Sequence, residues 1–137
     1  MRQIIYQSVA TTRDASEEAP EILRGARPFN GLNGVTGLLC ASDGKFLQVL
    51  EGPDESVDIA MARILKDPRH HRIEILVNEE IEERAFGDWT MAYRDQGHPA
   101  DLLEDRLRAM IRHAPPAIAD RFRQFLTGDR RPPDTTG

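Results

Sequence analysis

The sequence holds one cysteine, Cys40, in 137 residues. A lone thiol excludes an internal disulfide and a thiol-rich metal site. Nothing near it in sequence would lower its pKa, so Cys40 reads as a small buried apolar group rather than a nucleophile. No apolar run approaches the ~20 residues of a membrane span. The opening residues "MRQIIYQS" read as the start of a strand and lack the apolar stretch and cleavage site of a signal peptide. A soluble, cytoplasmic protein is therefore expected. Positive charge is also short: 18 Lys and Arg stand against 23 Asp and Glu, a net charge of −5. That balance argues against nucleic acid or an anionic membrane as a partner, since both need a basic surface. There is no glycine-rich phosphate loop and no Ser/His/Asp order of elbow type. Internal repeats and low-complexity tracts are absent as well. His70 and His71 are adjacent and would point apart, so no metal clamp is expected.

What the chain does contain suits one globular domain with a sizeable core: 39% hydrophobic and 30% charged residues exclude a disordered chain. "RQIIYQSVA" has the branched and aromatic content of a strand. Ile22, Leu23, Ala26 and Phe29 recur at helical spacing, with Pro20 expected in the first turn and Asn30 at the end. "NGVTGLLCA" and "KFLQVLE" flank Ser42-Asp43-Gly44, a strong hairpin signal. Asp54 is placed to cap a second helix through Val57, Met61, Ile64 and Leu65, ending near Asp67-Pro68. "RIEILVN" predicts a fourth strand with Ile73, Ile75 and Val77 on one side. "DWTMAYR" predicts a fifth, with Trp89, Met91 and Tyr93 aligned by parity.

The order β-α-β-β-α-β-β predicts an α+β, ferredoxin-like sheet with two helices on one face. From Pro99 onward the pattern becomes helical. Leu102, Leu103, Leu107, Met110 and Ile111 form one amphipathic stripe; Ile118, Phe122, Phe125 and Leu126 form another, with "HAPP" as the break between them. The last residues, "GDRRPPDTTG", read as a flexible tail. The expected division is 1–96, 97–127 and 128–137.

Several polar residues stand where a plain core would not need them. Gln48 lies mid-strand on the side of Phe46 and Leu50, while Leu47 and Val49 face the other way. A strand apolar on both faces is central, and an unpartnered amide there costs on the order of 1–3 kcal/mol. Gln48 therefore requires specified partners. Tyr6 shares a strand face with Ile4 and Ser8. Arg63, Asp67 and His70 would share a helix face if the second helix ran that far. Each of the others also has an ordinary reading: a core tyrosine, a helix C-terminus at Asn30-Gly31, a solvated Arg63–Asp67 pair, and Trp89 and Met91 packed on a sheet.

Taken together, "IIYQS", "NGLNGVTGLL", "DGKFLQVLEG", "DPRHHR" and "DWTMAYR" resemble the blue-light-using-FAD (BLUF) domain from about Arg2 to Arg94. The asparagine six residues before Thr36-Gly37 and the Phe-x-Gln-x-Leu-Glu-Gly strand are the specific marks. The resemblance implies FAD held noncovalently between the two helices, with no enzymatic turnover. By that likeness Gln48 would bond the reactive edge of the flavin and the Tyr6 hydroxyl, and Asn30 the neighbouring ring carbonyl. Arg63, Asp67, Arg69 and His70 would line the polar end of the ring or the ribityl-phosphate path. Trp89 and Met91, on a fifth strand beside Gln48, would relay the signal. Phe29 departs from the family, which often has asparagine or histidine there: it can pack but cannot hydrogen-bond.

The implied output is a downstream protein met through the C-terminal helices. A homo-oligomer is also expected, because an amphipathic helix pair must bury its stripe somewhere. Two rival readings use the same scaffold. An acylphosphatase-like enzyme would rely on Arg69 and Asn30, but no phosphate-cradling loop connects them. A cofactor-free interaction module would leave Gln48 paired with backbone.

Overall fold

The computed structural model describes residues 1–11, 15–42, 44–87, 90–94 and 101–127. Five strands, β1 (Arg2–Ala10), β2 (Thr36–Ser42), β3 (Lys45–Gly52), β4 (His70–Glu80) and β5 (Ala92–Arg94), form one sheet in the order β4-β1-β3-β2-β5. The first four are antiparallel and give the ferredoxin-like order; β5 adds to the edge of β2 in parallel. Helices α1 (Ala15–Asn33) and α2 (Asp54–Leu65) cover one face, and α3 (Asp101–His113) and α4 (Pro116–Thr127) the other. The expected α+β architecture holds.

Alternation along β1 and β3 sorts the core into two halves. Ile4, Tyr6, Phe46 and Leu50 join Leu23, Val57 and Met61 beneath α1 and α2. Ile5, Leu47 and Val49 join Leu38, Cys40, Leu107, Phe122 and Phe125 beneath α3 and α4. Among the described side chains of the C-terminal stripe, Leu107, Phe122 and Phe125 are thus buried on the chain's own sheet with Met110, Ile111 and Ile118 packed against them, so self-association no longer follows from these residues.

Five expectations shift. Helix α1 starts at Ala15, so Pro20 falls inside it along with Pro28, and it runs past Asn30 to Asn33. There Gly34, at φ +70°, closes it, and the Val35 N–H reaches back to the Asn30 carbonyl at 2.9 Å. A left-handed residue after the last turn is cheap only for glycine, so the stop belongs at Gly34 rather than at Gly31. Asp54 is the first residue of α2 rather than its cap. Pro53 holds the cap position without a side-chain bond, and Asp54 places negative charge at the positive helix end instead. The helix closes at Leu65, so Asp67 and His70 lie beyond the face that carries Arg63.

The fourth shift concerns β4. Two register breaks against β1 insert extra residues, one of them near Arg72 at φ 55°. Each bulge flips the parity of the residues beyond it. Val77 therefore packs under α3 and α4 while Ile73 packs under α1 and α2, and Ile75, opposite Tyr6 on the edge strand, is 49% exposed. In the fifth strand Met91 precedes β5 rather than belonging to it. Asp43 of the hairpin turn, Trp89 and the 128–137 tail lie outside the described residues. Among the described residues no helix is long and apolar enough to cross a membrane.

Candidate functional site

A cavity of about 510 Å³ lies between α1 and α2, above the sheet. Tyr6, Gln48 and Leu50 form its floor, Ile22, Ala26, Phe29 and Asn30 one wall, and Ala60, Arg63 and Ile64 the other. Lys66, Asp67, Pro68, Arg69 and His70 close one end. A slot of this size with apolar walls and few convergent polar groups is what small-molecule sites look like. It gathers Tyr6, Asn30, Gln48, Arg63, Asp67, Arg69 and His70, seven of the residues singled out from sequence.

The floor arises from strand register. Tyr6 on β1 stands directly opposite Gln48 on β3, so their side chains meet on one face. The Tyr6 hydroxyl donates to Gln48 Oε1, and Gln48 Nε2 donates to the Met91 sulfur at 3.3 Å. Both residues are buried. Burial, with a smaller push from the Asp67 carboxylate, drives the Tyr6 phenol well above its ordinary range, so it is held neutral. Contrary to expectation, Gln48 is not beside β5, because β2 lies between them. Met91 reaches it past Gly37. A Cβ at that position would stand 3.3 Å from the Met91 methyl and 1.9 Å from the Val49 carbonyl oxygen.

Helix α1 fixes the segment carrying Met91. Asn30 Nδ2 donates to the Thr90 carbonyl at 2.9 Å, and Arg27 Nε to the Met91 carbonyl at 3.1 Å. An amide nitrogen carries two hydrogens, so Asn30 can hold Thr90 and still offer one to a ligand.

At the closed end Asp67 is gripped by Arg69 through Nε, Nη2 and the backbone N–H, at 2.7–3.1 Å. Burial opposes ionisation of Asp67, but these bonds outweigh it and hold the carboxyl below its usual range. His70 is buried with both ring nitrogens engaged. Nε2 lies 3.1 Å from the Ile64 carbonyl, which can only accept, so Nε2 donates there and Nδ1 accepts a hydrogen bond from the Ser8 hydroxyl at 2.7 Å. Burial lowers its pKa, outweighing the Ile64 carbonyl and Asp67, which act the other way. His70 thus contributes a neutral wall rather than a charged ligand group.

Sequence reasoning overlooked Glu51. It is fully buried, and its carboxylate accepts from Gln3 Nε2 at 3.0 Å, the Ala85 N–H at 2.8 Å and the Phe86 N–H at 2.9 Å. The signal was available: the argument that singled out Gln48 applies with more force to a carboxylate further along the same buried strand. Glu51 ties β3 to the segment leading to Met91, and Arg106 of α3 reaches that segment at the Ala85 carbonyl, 3.3 Å away.

The sequence matches, over residues 1–92, the family described as BLUF, sensors of blue-light using FAD, and the chain belongs to that family. Among its relatives is the photoactivated adenylate cyclase subunit beta of Euglena gracilis, 38% identical over 93 residues. That alignment takes in 66% of this chain but only 11% of the relative. Among solved structures, the ground state of BlsA superposes with a TM-score of 0.69 at 26% identity, covering 98% of this chain and 93% of that one. Klebsiella pneumoniae BlrP1, solved with FMN and cyclic diGMP, gives a TM-score of 0.67 at 28% identity, covering 78% of this chain and 29% of that one. The chain thus aligns with nearly the whole of the BlsA chain but spans only a small part of the length of the cyclase subunit and of BlrP1.

Proposed function

We propose that residues 1–96 hold FAD noncovalently in the cavity between α1 and α2, and that residues 97–127 carry the light signal to a partner protein. The observation that carries the reading is the chain Tyr6–Gln48–Met91 along the cavity floor. The residues suit a flavin. Ile22, Ala26 and Ile64 offer apolar walls for the faces of a flat ring, Gln48 and Asn30 offer amides at its edge, and Lys66 and Arg63 offer positive charge for a phosphate. FAD is preferred over FMN on the family's own usage, and mass spectrometry of the released cofactor decides between them.

When bound, a flavin supplies a ring that absorbs blue light and, once excited, takes an electron from a phenol in contact with it. Among the described residues Tyr6 is the one phenol lining the cavity. Losing an electron makes a phenol strongly acidic, so Tyr6 would pass its proton to Gln48 Oε1, which already accepts its hydrogen bond. Gln48 has an acceptor at one end and donors at the other, so turning the amide exchanges what it shows to Tyr6 and to Met91. The electron and proton then return to Tyr6. Only the hydrogen bonds of Gln48 differ at the end, no substrate is consumed, and the module acts as a sensor rather than an enzyme. A changed bond to Met91 alters the segment that Asn30, Arg27 and Glu51 hold, and through Ala85 and Arg106 it reaches α3.

The test is an absorption spectrum of purified, flavin-supplied protein before and after blue illumination. A yellow protein whose band shifts slightly to the red and recovers in the dark supports the reading. Tyr6→Phe should keep the colour and lose the shift. A protein that stays colourless with FAD, FMN and riboflavin overturns it.

A further inference from the structure

Phe29 and Arg63 come from opposite walls of the cavity, one on α1 and one on α2. The guanidinium carbon of Arg63 stands 4.2 Å from the centroid of the Phe29 ring. Arg63 is exposed and Phe29 half-buried, so the contact lies at the mouth of the cavity rather than on its floor. Among the described residues no carboxylate pairs with Arg63. The ring face is what holds it.

Phenylalanine has no hydrogen-bonding group, so the attraction is that of a cation for the negative face of an aromatic ring. Such a contact fixes the cation over the ring while leaving all five guanidinium N–H groups free to point elsewhere. The pair also spans the gap between the two helices. A flat ring lodged between those helices would sit behind it.

We propose that Phe29 is a positioning residue for the cofactor. Its ring holds the Arg63 guanidinium across the mouth of the cavity, and the pair must part before a bound flavin can leave. Phe29 thereby sets the flavin release rate through Arg63 rather than through a bond of its own. The proposal rests on the flavin reading of the same cavity.

The experiment measures flavin release, as fluorescence recovered after dilution, in wild type, Phe29→Leu, Arg63→Met and the double variant. Each single change is expected to speed release about 2- to 5-fold, the range an exposed cation–aromatic contact supports. The double variant should release no faster than the faster single one. Phe29→Tyr should stay within about twofold of wild type, because the ring face survives. Pentafluorophenylalanine at position 29 keeps the shape but reverses the charge of the face, and should behave like Phe29→Leu. The same cycle by urea unfolding of the flavin-free protein should also show that Phe29 and Arg63 are coupled.

Multiplying effects in the double variant, or a pentafluoro variant that releases flavin at the wild-type rate, would leave Phe29 as packing alone and overturn the proposal. A wild type that takes up no flavin overturns instead the reading on which it rests.

Discussion

The two faces of the sheet are built from the same strands but finished differently. Under α3 and α4, Leu47 and Val49 close against Leu38, Phe86, Leu107, Phe122 and Phe125, and the buried carboxylate of Glu51 has three donors within 3.0 Å. A hollow of about 740 Å³ remains there, but at the rim, beside Gln3, Arg84 and the α3–α4 turn. Under α1 and α2, Tyr6, Gln48 and His70 border a cavity in the middle of the face. Polar groups on the first face anchor backbone. On the second they surround space. Residue polarity alone does not distinguish these cases, and neither does pairing, since Tyr6, Gln48 and His70 also have partners within the chain; what does is whether those groups border open space or packed backbone.

The sharpest way to break this comparison is Phe122→Ala. Its ring is fully buried and packs on the face away from the α1/α2 cavity, so truncation should cost about 3–5 kcal/mol in urea unfolding. Flavin affinity of the fraction that stays folded should be nearly unchanged. An equal loss of affinity would mean that the two faces are one unit.

Glu51→Ala is next. It leaves two backbone N–H groups and the Gln3 amide without their acceptor, at a cost of roughly 3 kcal/mol. Hydrogen exchange should speed up at Ala85 and Phe86 more than at Tyr6. Uniform loosening would refute the idea that Glu51 acts locally.

Acid should then weaken the α1/α2 face. His70 is held neutral with a lowered pKa, so below about 6.5 the unfolded chain binds a proton that the folded one refuses. Stability is full above that pH and falls as pH drops towards the folded pKa of His70. Asp67, also lowered, adds a further loss at still lower pH, as its carboxyl is protonated. His70→Gln should flatten the first part of the curve, measured as melting temperature from pH 8 to pH 5. A slope that survives the change would place the titration elsewhere.

The smallest effect tests the register of β4. Ile75→Ser should cost less than about 1 kcal/mol, since Ile75 stands exposed on the edge strand. A loss of the size seen at core positions would restore the unbroken alternation read from sequence.

Strand β4 also marks where sequence patterning stops being legible. Alternation placed Gln48 correctly because β3 is regular and buried on both faces, so parity and burial agreed. The same rule failed on β4, where bulges depend on pairing with β1 and leave no strong trace in "HHRIEILVNEE". The sequence marks Tyr6 as a candidate, but its contact with Gln48 depends on which strands are neighbours. Asn30 was visible as a residue type, yet its tie to Thr90 spans sixty positions of chain. Glu51 lies in plain view within the motif "DGKFLQVLEG", on the strand face opposite Gln48, where its partners come from distant segments.

Gly37 leaves a practical legacy. Where another residue would put a side chain, the Met91 methyl comes close, and the sulfur beside it takes a hydrogen bond from Gln48. Isotope-labelled at that one methyl, the protein would carry its own magnetic-resonance gauge of which way the carboxamide points, with no dye or tag to disturb the pocket.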